Sequence, residues 1–213
     1  MKKIIILPIV CILLFSQMLS AQKDTTKIDG IIFSFVPQYL INKGIRFDLE
    51  KQITPRSLIQ ICPQFYLSEK TERNTSEIYY NDRYFDNNDF YKLTGYGLNI
   101  YHKIFTNPDF FSKGVYLSYG LSYSYFDIDY YDEYLNEIIN ANGKIKKYGV
   151  DLLIGYQFLL KNKLSLDIYT GFGTRLSNMD TNGPTTNRFN STFFGYNYEG
   201  NLLHLGVRIG LIL

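Results

Sequence analysis

The sequence contains no tryptophan, and among its 213 residues there are only two cysteines, two histidines and six prolines. Its mean hydropathy of −0.14 is close to neutral. A protein that crosses a membrane with several helices is far more apolar, so this value disfavours that class. What the chain does contain is 20 tyrosines, 16 phenylalanines and 16 glycines. High aromatic content with few prolines favours β-strands over helices.

Residues 1–21 have the pattern of a secretory signal peptide. Lys2 and Lys3 give a positive start, and an apolar stretch and a cleavage region with small residues follow. The alternative is a short membrane anchor, which is disfavoured because the apolar run is too short and lacks a stop-transfer flank. We expect cleavage after Ala21 or Gln22.

The remaining domain, residues 22–213, is nearly neutral. Removal of the signal takes two lysines from the 22 basic residues, which leaves 20 against 20 acidic residues. A nucleic-acid-binding protein would carry a basic excess, so that partner is disfavoured. Cys11 lies within the signal and away from its cleavage point, so a lipid-modified amino terminus is not expected. Cys62 then remains alone, without an internal disulfide, and is predicted to be an inward, inert thiol.

Apolar and polar residues alternate with a period of two along most of this domain. In residues 115–125, for example, valine, leucine and tyrosine at odd positions alternate with serine, glycine and one tyrosine at even positions. Such alternation predicts an all-β, up-and-down antiparallel transmembrane β-barrel of about eight strands. The predicted strands are 28–41, 45–50, 59–67, 95–104, 115–125, 148–158, 164–176 and 203–213.

The links between the predicted strands differ in length. The short ones are 42–44, 54–56, 106–113 and 160–163, and the long polar ones are 68–90, 128–143 and 177–200. If the chain enters the barrel from the periplasm, all three long links lie on the outer side and the short links 54–56, 106–113 and 160–163 lie on the inner side. The link 42–44 is then the one short outer loop. Short inner turns with longer outer loops are typical of membrane barrels.

The two faces of the strands differ in composition. The polar face consists largely of glycine, serine and single charges, while the apolar face of the last four strands continues for about 11 residues, enough for a lipid-facing band of about 25 Å. We therefore predict that the apolar face meets lipid; the alternative is a soluble periplasmic barrel that binds a small hydrophobic molecule. Aromatic residues at strand ends are expected at the interfaces: Tyr123, Tyr125, Tyr148 and Phe158.

The inward face would then hold ionic side chains, which persist in an interior only when they are paired. We predict an ionic network in a lumen that side chains can fill at eight strands; a polar ion path is the alternative. The expected members are Arg46, Asp48, Glu50, Lys147, Asp151, Asp167, Arg175, His204 and Arg208.

The residues from His204 to Leu211 resemble the assembly signal of outer-membrane barrels. That signal is a polar residue, any residue, glycine, two of any kind, and then apolar residues at alternate positions; here the usual terminal phenylalanine is missing, and Ile212 and Leu213 extend past the match. The whole domain resembles the small outer-membrane barrels of the OmpA, OmpX and OmpW types. The resemblance implies insertion by the barrel assembly machinery into the cell outer membrane, among its lipids and lipopolysaccharide, with function carried by the outer loops.

Catalytic chemistry has few candidates in the sequence. No metal-ligand spacing, phosphate loop or nucleophile motif appears, so no catalytic residue, metal or cofactor is assigned. His204 is expected in the interior network, and His102 on the lipid-facing side near the periplasmic end. Aromatic residues in two predicted loops are candidates for binding an extracellular ligand, or else pack on one another above the membrane. They are Tyr79, Tyr80, Tyr84, Phe85, Tyr130, Tyr131 and Tyr134.

The leading hypothesis from the sequence is a non-enzymatic surface barrel with a structural or binding role. The alternatives are a lipid-modifying barrel enzyme, of the type that removes acyl chains from lipid A, and a small-solute channel.

Overall fold

The structure is a computed structural model. It describes residues 30–69, 90–106, 113–134, 137–160, 163–184, 189–190 and 195–213, with the side chains of 132–134 and 137–138 excepted. The predicted signal peptide, 1–21, lies outside the described residues, as do Tyr79, Tyr80, Tyr84 and Phe85.

Eight strands form one closed antiparallel sheet in chain order, and a short 3-10 helix follows the first strand. The strands are β1 (Ile31–Phe35), β2 (Gly44–Thr54), β3 (Ser57–Glu69), β4 (Lys92–Phe105), β5 (Gly114–Tyr134), β6 (Glu137–Leu160), β7 (Leu164–Thr181) and β8 (Gly200–Ile212), and the 3-10 helix is Pro37–Asn42. Each strand pairs with its neighbour in sequence, and β8 pairs with β1 to close the ring. The predicted up-and-down barrel of eight strands is confirmed.

The facing of the side chains is that of a transmembrane barrel. Leu121 and Ile154 point outward with exposed fractions of 66% and 51%, whereas Arg46, Asp151 and Arg208 point inward with 3% or less exposed. A water-soluble barrel would show the opposite arrangement, because apolar side chains leave water most readily. Within the described residues, no helix has the length and apolarity needed to cross a membrane.

The predicted first strand, 28–41, is wrong in its second half. The strand ends at Phe35, and residues from Pro37 onward form the 3-10 helix. Proline has no N–H group to donate to a sheet and its fixed φ suits the first turn of a helix. Lys43 then adopts a left-handed conformation, with φ of 55°, and its N–H donates to the carbonyl oxygen of Leu40. The turn into β2 follows directly.

The predicted loop 128–143 is also wrong, because most of it is strand. The strands β5 and β6 continue to Tyr134 and from Glu137, and the register pairs Ile128 with Gly143 and Tyr130 with Ala141. The strand β7 likewise extends to Thr181, beyond the predicted end at 176. These three strands therefore project well past the outer end of the apolar band. We call this part the outer extension: residues 126–134, 137–146 and 177–181.

Candidate functional site: the barrel interior and its outer extension

Two ionic clusters lie inside the barrel. Lys103 is the centre of the one farther from the outer extension, and we call it the lower cluster. Its Nζ donates to Glu50 Oε1, to Asp167 Oδ2 and to Gln157 Oε1, each at 2.9 Å. The side chain of Lys103 is fully buried, so these three partners replace its hydration. Strands β2, β4, β6 and β7 each supply one of the four residues, so the cluster ties together opposite sides of the barrel wall.

Two arginines complete this lower cluster. Arg46 forms a two-pronged ion pair with Asp48, with Nε–Oδ1 at 2.6 Å and Nη2–Oδ2 at 2.9 Å. Arg208 donates to Asp48 at 2.8 Å and to Asp167 at 2.7 Å, and lies 3.8 Å from the centre of the Tyr169 ring. Together with Lys103 the cluster contains three cations, and Asp48, Glu50 and Asp167 are its three carboxylates. Such balance, with hydrogen bonds to each charge, is what allows charges to remain buried.

Asp151 organises a second, smaller cluster nearer the outer end. Its carboxylate accepts two hydrogen bonds from Arg175, at 2.5 and 3.1 Å, and one from the Tyr101 hydroxyl at 2.8 Å. His204 Nε2 lies 2.9 Å from Asp151 Oδ1 and 3.4 Å from Arg175 Nη2. Within the described residues, the side-chain hydrogen bonds of His204 reach this pair and no serine.

All nine residues expected in the interior network have inward positions. Seven are buried, while Lys147 and His204 are half-buried. Within the described residues, Lys147 forms no ion pair with a carboxylate; its Nζ donates to the carbonyl oxygen of Gly195 at 2.9 Å.

Sequence reasoning missed Lys103 as a member of the network. Its inward parity, shared with Asn99 and Tyr101, was the available signal. It also missed the neutral partners Gln60, Gln157 and Tyr116, which donate to or accept from the charged groups.

Apolar and aromatic side chains fill the space around the lower cluster. They are Leu58, Cys62, Tyr101, Phe105, Tyr116, Leu153 and Tyr169. Cys62 is fully buried and unpaired with any other cysteine in the described residues. His102, on the outside of this level, is half-buried and lies with Nδ1 2.8 Å from the Tyr119 hydroxyl.

A second apolar cluster lies inside the outer end of the barrel, and we call it the cap. It lies inside the outer extension and contains Tyr66, Phe90, Leu93, Phe126, Ile128, Tyr130, Ala141, Ile145 and Phe189, with Tyr39, Met179 and Tyr196 packed against it. Ring centres lie 5.0 Å apart for Phe126 and Tyr196, and 5.2 Å apart for Tyr130 and Phe189.

Among the predicted ligand-binding residues, the structure thus places Tyr130 inside the barrel, fully buried. Its hydroxyl lies 2.6 Å from that of Thr181. Tyr131 is half-buried and contacts the ring of Tyr91, with 4.9 Å between the ring centres. The backbone of Tyr134 ends β5, and its side chain lies outside the described residues.

Tyr196 links the cap to the turn before β2. Its hydroxyl donates to the carbonyl oxygen of Asn42 at 3.1 Å. Burial raises the pKa of Tyr196 to about 12, so this hydroxyl stays a neutral donor over the physiological range.

The outside of the outer extension is polar where the inside is apolar. Asp127 and Asp129 accept hydrogen bonds from Asn142 Nδ2 at 2.6 and 2.8 Å, and Lys144 and Lys146 are exposed. Below them the outward positions turn aromatic. We call these aromatic residues the tyrosine girdle: Tyr96, Tyr123, Tyr125 and Tyr148, with ring centres 5.2 to 6.5 Å apart between neighbours. Amphipathic rings of this kind suit the boundary between acyl chains and water.

Among the described residues, no group of three or more histidine, cysteine, aspartate or glutamate side chains is placed to hold a metal ion. No protein-family model matches the chain, and no curated protein matches it in sequence. Solved structures that resemble it include two outer-membrane proteins. One is CarO of Acinetobacter baumannii, 11% identical over 90% of this chain and all of that chain, with a TM-score of 0.38. The other is a major outer membrane protein of Thermus thermophilus, 12% identical over 88% of this chain and all of that one, with a TM-score of 0.42. Function is therefore inferred from the chain's own residues.

Proposed function

We propose that this chain is an outer-membrane β-barrel with a filled interior. Its outer extension and loops have a binding or structural role outside the cell. The observation that carries the proposal is the change of polarity at the tyrosine girdle. Below the girdle, outward positions such as Val150 are apolar. Above it, outward positions such as Lys146 are charged, while inward positions such as Ile128 are apolar.

The interior favours a binding or structural role over a channel. The cap and the two ionic clusters follow one another along the barrel axis, and most of their side chains are buried. An eight-stranded barrel has a lumen just wide enough for such side chains. A solute path would require the Lys103 cluster to open, which would leave buried charges without partners.

The enzyme alternative has less support from the geometry. In the enzymes of that type, a histidine acts with a nearby serine and an acidic residue. His204 has the acidic residue, Asp151, but this carboxylate is also held by Arg175 and Tyr101. The arrangement is that of a structural ion cluster.

Two cysteine variants test the placement and orientation of the barrel. Asp180→Cys lies in the outer extension and Lys163→Cys in the turn between β6 and β7, and both native side chains are exposed. A membrane-impermeant maleimide applied to intact cells is expected to label the first variant only, and both after the outer membrane is permeabilised. The native Cys62 is buried and should give no background. Labelling of Lys163→Cys in intact cells would overturn the orientation.

A gel shift tests whether the protein is a membrane barrel at all. Detergent-extracted membranes, run without boiling and after boiling, should give two different mobilities, since a closed barrel resists unfolding by detergent alone. An unchanged mobility, together with release of the protein into buffer without detergent, would overturn the proposal. In planar bilayers we expect no stepwise conductance, and ohmic channels would favour the solute-channel alternative.

A further inference from the structure

The outer wall of the barrel has an apolar groove at the lower edge of the tyrosine girdle. It runs across β4, β5, β6 and β7 and has a volume of about 450 Å³, within the range of small-ligand sites in proteins. The residues that line it are Leu98, Ile100, Leu121, Ser122, Tyr123, Tyr148, Gly149, Val150, Thr174 and Leu176.

The strand register explains the shape of this groove. Two outward rows run side by side across the four strands: the upper row is Leu98, Tyr123, Tyr148 and Leu176, and the lower row is Ile100, Leu121, Val150 and Thr174. Val150 and Thr174 are short side chains beneath the long Tyr148 and Leu176. Between the rows, Ser122 and Gly149 pair with each other, and because both are inward positions their backbone forms the floor of the groove.

A positive charge lies at the outer end of the groove. On β6, the next outward residue above Tyr148 is Lys146, about 7 Å farther along the strand, and it is exposed. Its cross-strand neighbours are Tyr125 and Asn178, neither of which is acidic. Lys146 is therefore placed to attract an anion at the level where lipid headgroups begin.

Lys144, one outward position higher on β6, differs in its surroundings. Its cross-strand neighbours are Asp127 and Asp180, so two carboxylates lie on the strands directly beside it. This difference makes Lys144 a natural control for Lys146, since both are exposed lysines on the same face of the same strand.

We infer that the groove and Lys146 form a binding site for one molecule of lipopolysaccharide in the outer leaflet. An acyl chain of its lipid A lies in the groove, and a phosphate lies against the ammonium group of Lys146. Lysine binds phosphate as a point charge, and a basic residue beside an apolar cleft in a membrane protein recognises an anionic lipid in this way. The concave shape fits one acyl chain better than the convex wall of a second copy of the chain. This site rests on the proposed function, because it requires the barrel to lie in an outer membrane.

The test is a titration of the purified protein in mild detergent with lipid A, followed by native mass spectrometry. The variants Lys146→Gln, which removes the charge, and Val150→Phe, which fills the groove, are each expected to weaken lipid A binding about tenfold, the effect of one ion pair or one blocked subsite. The matched controls are Lys144→Gln and Leu211→Phe, the latter on the exposed face of β8. Both controls are expected to bind as the unaltered protein does.

A second ligand separates the two halves of the site. Lipid A without its phosphates is expected to bind the unaltered protein about as weakly as phosphorylated lipid A binds Lys146→Gln, with no further loss in that variant. Equal lipid A binding by all four variants would overturn the inference, as would a dimer of the chain that Val150→Phe abolishes.

The gel shift on boiling distinguishes failure of the site from failure of the proposed function. If the unaltered protein shows no shift, the membrane barrel itself is wrong, and the site with it. If all proteins shift and lipid A binding does not change, the barrel stands and only the lipid site is wrong.

Discussion

The part of the barrel below the tyrosine girdle and the outer extension above it have opposite arrangements of polarity. Below the girdle, β5 and β6 turn Leu121 and Ile154 outward and Asp151 inward. Above it, the same two strands turn Asp127 outward and Ile128 inward. The parity of the strands does not change between the two parts, so the backbone geometry is the same. In the proposed membrane placement, the difference lies in the medium outside: acyl chains below the girdle, water above it.

Each part of the barrel places its core according to the medium outside it. In the outer extension, apolar side chains gain by leaving water, and they collect inside as the cap. Below the girdle, apolar side chains can also face lipid, so ion pairs and hydrogen bonds hold the interior together with the apolar and aromatic side chains packed around them. Removal of a charge should therefore affect the lower part most, and removal of an apolar group should affect the extension.

The largest expected effect comes from Asp167→Asn in the lower cluster. The change leaves Lys103 and Arg208 buried with one carboxylate partner fewer, and should lower the free energy of unfolding by about 3–5 kcal/mol. Urea unfolding of the protein in lipid vesicles, followed by circular dichroism, would measure it. The control is Asp180→Asn in the outer extension, where the exposed carboxylate should contribute no more than about 0.5 kcal/mol. Equal losses would show that the cluster does not hold the interior.

A charge introduced on the outer wall should lower the free energy of unfolding far more where the wall faces lipid than where it faces water. Ile154 lies near the middle of the apolar band, and Ile154→Arg should cost about 2–4 kcal/mol. Asn178→Arg, on an exposed outward position of β7 above the girdle, should change stability by at most about 0.5 kcal/mol. The same urea experiment compares the two. Similar values would mean that both positions face the same solvent.

An apolar truncation in the cap should act locally. Ile128→Ala removes a fully buried side chain and should cost about 2 kcal/mol. Hydrogen exchange is expected to become faster in β5 and β6 of the outer extension, while the gel shift on boiling stays unchanged. Faster exchange throughout β7 and β8 would contradict a separate cap. Lys144→Ala, on the outside of the same hairpin, is the control.

The smallest expected effect is that of Tyr196→Phe. Loss of its hydrogen bond to Asn42 should cost about 1 kcal/mol at neutral pH. Since the folded pKa of Tyr196 is raised to about 12 from 10, its contribution is fully present below pH 10 and is lost as the pH rises to about 12. Hydrogen exchange of the cap, measured across that range, should depend less steeply on pH in the variant. An unchanged dependence would show that Tyr196 does not limit the alkaline stability.

The number of strands and the direction of their side chains, inward or outward, could be predicted from the sequence. Alternation of apolar and polar residues fixes which residues share a face. The inward positions of Arg46, Asp151 and Arg208 follow from parity alone. The partners of the inward charges do not follow from parity. Lys103, for example, forms ion pairs with Glu50 and Asp167 across the barrel, and such pairs depend on the stagger of strands far apart in sequence.

The outer extension was missed for a different reason. Its strands keep the period of two but reverse its polarity, as in Asp127, Ile128, Asp129 and Tyr130. Where charged residues follow a strand with an apolar outward face, the sequence pattern is typical of a polar loop, so it predicts a loop there. A reversal of polarity without a break in the alternation is the signal that would have identified the extension.

The first strand is much shorter than the others, and this has a consequence for how the cylinder opens. Among the described residues, β1 and β8 are in register only from the Ile32–Ile212 pair to the Phe35–Ile209 pair, whereas β6 and β7 are paired from Gly143–Thr181 to Leu160–Leu164. Fewer shared hydrogen bonds make the joint between the two chain ends the weakest line along the wall. Under mechanical or chemical stress, we expect β1 and β8 to separate first. The barrel then opens into a single sheet in which β5, β6 and β7 are still paired.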